Sequence, residues 1–301
     1  MHIIHSISEK HRLLSLPDPL HPLVSVIRLS DVRFTEDVIW GNFSLNFYCI
    51  SLKRNIAGKI KYGQQYYDHD KGLMTFVAPK QVLSLDAPLI DELNPSYGYA
   101  LFFHPDFLYK HPLAATIKSY GFFSYGVNEA LHLSEKEEKN IAAIFEKIDE
   151  EYQHIDRHTQ NVILSQIDLL LNYSNRFYER QFITRKAVNH DVLSRMEALL
   201  NEYFTDGQSL RKGAPTVEFL ADQLHLSPHY LSDLLRSLTG QNAQQHIQEK
   251  LIEKAKEYLS ITNLSVAEIA YQLGFEYPQS FNKLFKKKMN ISPLEFRQTF
   301  N

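Results

Sequence analysis

The order of apolar and polar positions divides the chain near its middle. From Val24 to His104 the pattern favours strands. Phe43-Ser44-Leu45-Asn46-Phe47 alternates apolar and polar, the period of a half-buried strand. Leu73-Met74-Thr75-Phe76-Val77 and Tyr97-Gly98-Tyr99-Ala100-Leu101-Phe102-Phe103 are β-branched or aromatic runs bounded by turn signals. Asp68-His69-Asp70-Lys71-Gly72 predicts a turn between two of them. Short strands at this spacing predict a sandwich or small barrel.

After His104 the period becomes helical. Ser134-Glu135-Lys136-Glu137 has the form of a capping box, and Ile141, Ile144, Phe145, Ile148 and Tyr152 follow at helical spacing. A second stretch, Thr159 to Tyr178, places Ile163, Ile167, Leu170, Leu171, Ser174 and Phe177 on one face. These helices are expected to cover the sheet or to pair with a second copy of themselves. Residues 1–178 are thus expected to form a β-rich domain with C-terminal helices. Residues 179–190, polar and basic, are expected to be a linker, and residues 191–301 a second domain. There helix returns from Val192 to Phe204, and Thr205 to Pro215 reads as an extended loop.

The second domain contains an internal near-repeat. Val217 to Leu224, a turn, and Ser227 to Arg236 correspond to Val266 to Leu273, Gly274-Phe275, and Pro278 to Lys286. Ala221 and Ala270 hold the same place, where a small side chain lets two helices cross closely. Gly274 supplies a left-handed residue at the second turn, and His225 stands in its place in the first. Leu231, Leu234 and Leu235 match Phe281, Leu284 and Phe285 as buried faces. Gly240 and Asn290 both tolerate a left-handed helix cap. Each copy reads as a helix-turn-helix. Between them, Gln244 to Ser260 forms a helical spacer of about 17 residues, roughly 25 Å long, on the scale of the ~34 Å between successive major grooves.

Composition narrows the picture less. A length of 301 residues favours two domains, and 44% apolar with 22% charged residues is ordinary for globular proteins. No run of about 18 apolar residues appears, so no membrane span is expected. The start, Met1-His2-Ile3-Ile4-His5, lacks the form of a secretory signal, and the single cysteine, Cys49, fits a reducing compartment; a cytoplasmic protein is expected. The net charge is −3, and from Asp191 onward twelve Lys and Arg face thirteen Asp and Glu. Binding to nucleic acid therefore has to depend on where the cations sit.

The stretch Val217 to Phe300 resembles the DNA-binding domain of the AraC/XylS regulators. The resemblance is carried by Ile269-Ala270, Gly274-Phe275, Phe281-Asn282, Phe285-Lys286-Lys287 and Ser292-Pro293-Leu294-Glu295-Phe296-Arg297. It implies an α+β chain: an N-terminal cupin-like β-barrel with dimerisation helices, and a C-terminal all-α double helix-turn-helix domain. It also implies that the second helix of each unit faces the DNA groove, through His229, Ser232 and Asp233 in the first and Pro278, Gln279, Asn282 and Lys283 in the second. Gln and Asn pair with adenine and Lys reaches guanine, whereas Asp233 departs from the usual cation or amide. Arg236, Lys286 and Lys287 are expected at phosphates. Lys288 extends the same basic run, and Phe281 and Phe285 are assigned to the core.

Other chemistries find little support. His154 and His158, read as four apart on a helix, lack a third ligand. His69, between Asp68 and Asp70, lacks the His-x-His pair of metal-binding cupins. There is no glycine-rich phosphate loop or nucleophile elbow. Cys49 is expected in the core. The expectation is a non-enzymatic, cofactor-free regulator that binds promoter DNA as a homodimer. It would respond to a small-molecule effector in the N-terminal domain and engage RNA polymerase if it activates. Two alternatives keep other roles open: a cupin-type sugar-binding protein or enzyme with a helical appendage, and an N-terminal half serving only oligomerisation. The barrel aromatics (Phe43, Phe47, Tyr48, Tyr62, Tyr66, Tyr67, Phe76, Tyr97, Tyr99, Phe102, Phe103) either line a pocket or fill a core.

Overall fold

The computed structural model describes residues 2–33, 42–54, 61–62, 65–66, 72–83, 97–126, 129–184 and 186–299. Contacts divide the chain into two units, Met1–Gln181 and Phe182–Asn301. His69 and the turn residues Asp68 to Lys71, with Tyr67, lie outside the described residues. So do the side chains of Tyr62 and Tyr66.

Unit 1 is built on two principal sheets. Its strands are β1 (His2–Ile4), β2 (Val24–Arg28), β3 (Phe43–Leu45), β4 (Tyr48–Arg54), β5 (Lys61–Tyr62), β6 (Gln65–Tyr66), β7 (Leu73–Val77), β8 (Val82–Leu83), β9 (Tyr97–Phe103) and β10 (Leu131–His132). The larger sheet runs β10-β7-β4-β9-β2 and is antiparallel throughout; the smaller runs β1-β3-β8, with β1 parallel to β3; β5 and β6 pair separately. Among the described residues these sheets do not close into a barrel. The central strand is β4, whose alternate residues serve opposite faces. Ile50 and Leu52, fully buried, belong to one face; Cys49, Ser51 and Lys53 belong to the other.

Helices cover the Ile50 face. In α2 (Glu135–Gln153) the capping box forms as the sequence predicts, Ser134 accepting from the Glu137 amide while the Glu137 carboxylate accepts from the Ser134 amide. Ile141, Ile144, Phe145, Ile148 and Tyr152 are buried, and the Phe145 ring stacks on Tyr99 at 5.6 Å. The helix α3 (Thr159–Thr184) buries the whole predicted face from Ile163 to Phe177. Arg180 donates to Glu137 and to the His132 carbonyl at 2.7 Å, and Arg54 pairs with Glu138. The opposite face meets the smaller sheet and α1 (Ile7–Leu13), a helix ahead of the Val24–His104 stretch that the sequence pattern assigns to strands.

Three further expectations change. His154 and His158 do not share a helix. α2 ends at His154, and Asp156 caps the next helix by accepting from the amides of His158 and Thr159 at 2.7 and 3.1 Å. The segment 179–190, expected as a linker, is helical through Thr184 and again from Lys186, so α4 (Lys186–Thr205) starts earlier than Val192. The loop Thr205 to Pro215 contains a short helix, α5 (Gln208–Lys212). Tertiary bonds hold that segment: Ser209 Oγ donates to the Gln272 carbonyl at 2.8 Å and Tyr203 Oη to the Gly213 carbonyl at 3.0 Å.

The remaining helices of unit 2 are α6 (Val217–Leu224), α7 (Pro228–Thr239), α8 (Ala243–Ile261), α9 (Val266–Gln272), α10 (Pro278–Met289) and α11 (Pro293–Gln298). Both repeats pack into one core with α4 and α8. Met196, Leu200, Leu231, Leu235, Ile247, Leu251, Phe281 and Phe285 belong to a single buried cluster. Ala221 and Ala270 are fully buried, as their crossing positions require. The two turns are built alike: the Leu226 amide donates to the Ala221 carbonyl and the Phe275 amide to the Ala270 carbonyl, each at 2.9 Å. His225 is left-handed at φ 57° and Gly274 at φ 87°. The substitution of His for Gly is tolerated only in the first turn. A Cβ at Gly274 would sit 2.3 Å from the Gly213 carbonyl carbon, because the Ala214 amide bonds to the Gly274 carbonyl at 2.9 Å.

Two substitutions test this contrast by chemical denaturation. Gly274→Ala should lower stability by about 2 kcal/mol or more, combining left-handed strain with a backbone clash. His225→Gly should raise it by up to about 1 kcal/mol, because relief of strain exceeds the entropy lost.

Candidate nucleic-acid interface

The spacing on α7 and α10 sorts their residues by face. On α10, Phe281 and Phe285 point inward, stacked edge to face at 5.7 Å, and Phe285 meets Phe296 of α11 at 5.6 Å. The residues left outside follow the same helical stripe: Gln279, Asn282, Lys283, Lys286 and Lys287 are all exposed, with Pro278 half-buried at the first position. On α7, His229 and Arg236 are exposed while Ser232 and Asp233 are half-buried, above inward Leu231, Leu234 and Leu235. Leu284 is only partly buried, less than its repeat partner Leu234. The sequence-expected contact residues therefore fall on one surface stripe of each second helix. None of them is spent on the core.

The two stripes align position for position, His229 with Gln279, Ser232 with Asn282, Asp233 with Lys283 and Arg236 with Lys286. Their electrostatics differ sharply. α10 carries Lys283, Lys286, Lys287 and Lys288 and no acidic residue. On α7 the single arginine is tied to the single aspartate, Arg236 Nη1 donating to Asp233 Oδ1 at 2.8 Å. That pair neutralises the first stripe and turns the guanidinium back along its own helix. The second stripe alone presents a concentrated positive field, and field strength at a surface depends on local placement rather than total charge.

The helix starts differ too. Ser227 caps α7 by accepting from the Tyr230 amide at 3.3 Å, whereas Tyr277, at the cap of α10, provides no side-chain acceptor. Pro278 brings no amide hydrogen and the Ser280 amide donates to the Tyr277 carbonyl at 3.0 Å, so the backbone itself closes much of the first turn of α10, on the helix end where the dipole is positive. Exposed Tyr277 and Ser280 stand beside Gln279 on this turn and join the candidate surface. Sequence reading passed over both; their place around Pro278 was the available signal. The residues of the tail serve structure instead. Ser292 and Glu295 form a capping box, Pro293 is buried, and Arg297 donates to the Leu259 carbonyl at 3.3 Å, bracing α11 on the spacer.

Among the described residues no group of three or more His, Cys, Asp and Glu could hold a metal ion, and no helix is long and apolar enough to cross a membrane. Cys49, partly buried on β4, packs against the core cluster of unit 1 as expected, and burial pushes its thiol up to about 11.

Comparison with known proteins matches residues 220–299 to a family of helix-turn-helix domains. The chain is 36% identical over 83 residues to the bifunctional transcriptional activator/DNA repair enzyme AdaA of Bacillus subtilis, covering 28% of this chain and 39% of that protein. It is 32% identical over 120 residues to the transcriptional activator RhaS of Salmonella schwarzengrund, covering 40% and 41%. The C-terminal domain of the response regulator yesN from Fusobacterium nucleatum, a solved structure, is 34% identical; the match covers 36% of this chain and 98% of that one, with a TM-score of 0.32. The chain spans about two fifths of the length of the first two relatives.

The ion pair on α7 generates a prediction. Asp233→Asn frees Arg236 and removes a carboxylate from the stripe. Affinity for duplex DNA at low salt, measured by fluorescence anisotropy, should rise about three- to tenfold, and the salt dependence should steepen.

Proposed function

We propose that this chain is a sequence-specific regulator of transcription of the AraC/XylS type that binds double-stranded promoter DNA; the helix-turn-helix family match over residues 220–299 and the similarity to the activator RhaS support this reading. The observation that carries this reading is the pair of aligned, outward stripes on α7 and α10, fastened to one core through α8. A rigid fastening lets two short helices enter successive major grooves without ordering cost at each one.

Within that reading the stripes divide the work. Asn282 and Gln279 suit bidentate pairing with adenine, and Lys283 suits guanine O6 and N7. Lys286 and Lys287, further along α10, suit phosphates, as does Arg236 once it leaves Asp233. The second unit then supplies most of the affinity, while His229, Ser232 and Asp233 supply a weaker, more adaptable reading. An aspartate in the groove accepts from cytosine N4, so Asp233 favours a different base from Lys283.

For unit 1 we propose a sensing and dimerising role. Its two facing sheets suit a cupin-like domain that holds a small-molecule effector, and α2 and α3 are the helices available for pairing with a second copy. Effector binding would act by shifting a population toward the DNA-competent arrangement. Contact with RNA polymerase follows if the protein activates. No catalytic step and no cofactor enter this mechanism, and a cytoplasmic location suits it.

A selection experiment and two substitutions test the reading. Fragments selected from a genomic library by the full chain should share a motif, with binding that weakens steeply from about 50 to 200 mM salt; salt-insensitive binding or an absent motif would count against it. Replacing Asn282 by Ala should cost about 1–3 kcal/mol on the selected site and relax base preference at one position. Lys287→Ala should instead weaken all sequences alike and lower the salt slope by about one.

A further inference from the structure

Where the two repeats differ, the first carries the histidines. His229 of α7 stands where α10 has Gln279, and His225 stands in the turn where the second unit has Gly274. Histidine is the side chain whose charge ordinarily changes between about pH 5 and 8. His229 is the second residue of α7, exposed on the outward stripe, with Ser232 and Asp233 one turn further along. His225 caps the end of α6 in a left-handed conformation and lies off that stripe.

The helices packed on α7 are α4, α6 and α8. α6 brings the exposed carboxylates of Glu218 and Asp222, and on α4 Asp191 pairs with Arg195 at 3.9 Å. On α8 the His246 ring meets Thr239 Oγ1 at 2.8 Å, and Glu249 accepts from Gln241. On its own helix Asp233 is held by Arg236 at 2.8 Å. Among the described residues no ion pair or hydrogen bond reaches the His229 ring, so both its nitrogens are left to whatever lies against the stripe. The helix dipole opposes a cation at this end of α7. A duplex, with one negative charge about every 1.7 Å of its axis, favours one.

A neutral imidazole has one donor and one acceptor nitrogen, whereas a protonated one has two donors and no acceptor. In the major groove adenine shows an acceptor and a donor, N7 and N6, and guanine shows two acceptors, N7 and O6. The neutral ring therefore matches adenine and the cation matches guanine. Gln279, at the same place on α10, keeps its donor and acceptor at every pH. We propose that His229 is a proton-dependent base reader, selecting guanine when protonated and adenine when neutral, and adding a positive charge to the neutralised stripe of α7 in the first state. The proposal rests on the reading of unit 2 as a sequence-specific DNA binder and gives that reading a pH-dependent specificity at one base pair. Because the protonated form binds the anionic duplex more tightly, binding takes up a proton and affinity falls as pH rises.

A library of random-sequence duplexes, selected by the full chain at about pH 8 and at about pH 5.5, provides the test. One position should carry adenine at the higher pH and guanine at the lower, within the half-site whose preference Asn282→Ala leaves intact. On the guanine duplex, fluorescence anisotropy should show affinity about five- to tenfold higher at the lower pH, with a salt slope steeper by about one. His229→Gln should recover the same base at both pH values and abolish the change in slope. His229→Asn serves if that variant folds poorly, folding being read by circular dichroism. His225→Gly should keep the wild-type pH response. A motif and affinity that ignore pH, a wild-type response in the His229 variants, or loss of the response in His225→Gly would each overturn the proposal and leave the regulator reading in place. No shared motif at either pH would reject the regulator reading itself, and the proposal with it.

Discussion

Unit 2 depends on how closely two helices approach one another at Ala221 and again at Ala270. Both side chains are fully buried, and each helix leaves its crossing through a left-handed residue four positions later. A larger side chain at either crossing would push the second helix away from the core, and with it the stripe of residues it displays. The shared cluster that joins Leu231 and Leu235 to Phe281 and Phe285 then converts two local crossings into one rigid arrangement. The second crossing has the narrower tolerance, since the Gly213–Ala214 backbone lies against Gly274.

Upon that frame the two repeats diverge in charge while keeping the same shape. A unit 2 close to neutral still presents a basic helix, because its acidic residues sit on other helices or in turns, Glu276 just ahead of α10 among them, and α10 has none. The pairing of Arg236 with Asp233 has the reverse effect on α7. An exposed pair of this kind adds little to stability, so its consequence lies in the field it cancels. Duplicated geometry thus carries unequal charge, with α10 the basic helix and α7 the neutralised one.

Unit 1 shows a related compromise. Its outer face is an ordinary helix-on-sheet core, with Ile50, Leu52, Phe145 and Ile167 fully buried. Its inner face accepts polar and cationic groups along β4 at the expense of packing. Natural proteins commonly give up stability at the sites where they bind something. Burial holds the Cys49 thiol protonated, although Lys10 and Lys53, which line the same cavity, pull it the other way.

Much of unit 2 was legible in the chain itself. The predicted starts of α6, α7, α9 and α10 match those observed, because capping residues, Pro at the first turn and a period of 3.6 are local signals. The left-handed caps at Gly240 and Asn290, the capping box at Ser134 and the outward position of Gln279, Asn282, Lys283, Lys286 and Lys287 are equally local. What tertiary structure decided is non-local. Residues 208–212 become helical only because Ser209 and Gly213 find partners on other segments. The parallel pairing of β1 with β3 joins strands about forty residues apart, and no periodicity encodes it. Lys10 and Lys53 look like two unrelated surface lysines in sequence. They face one cavity because the alternation of β4 and the docking of α1 turn both inward, and a linear pattern carries no information about which buried face another element will close.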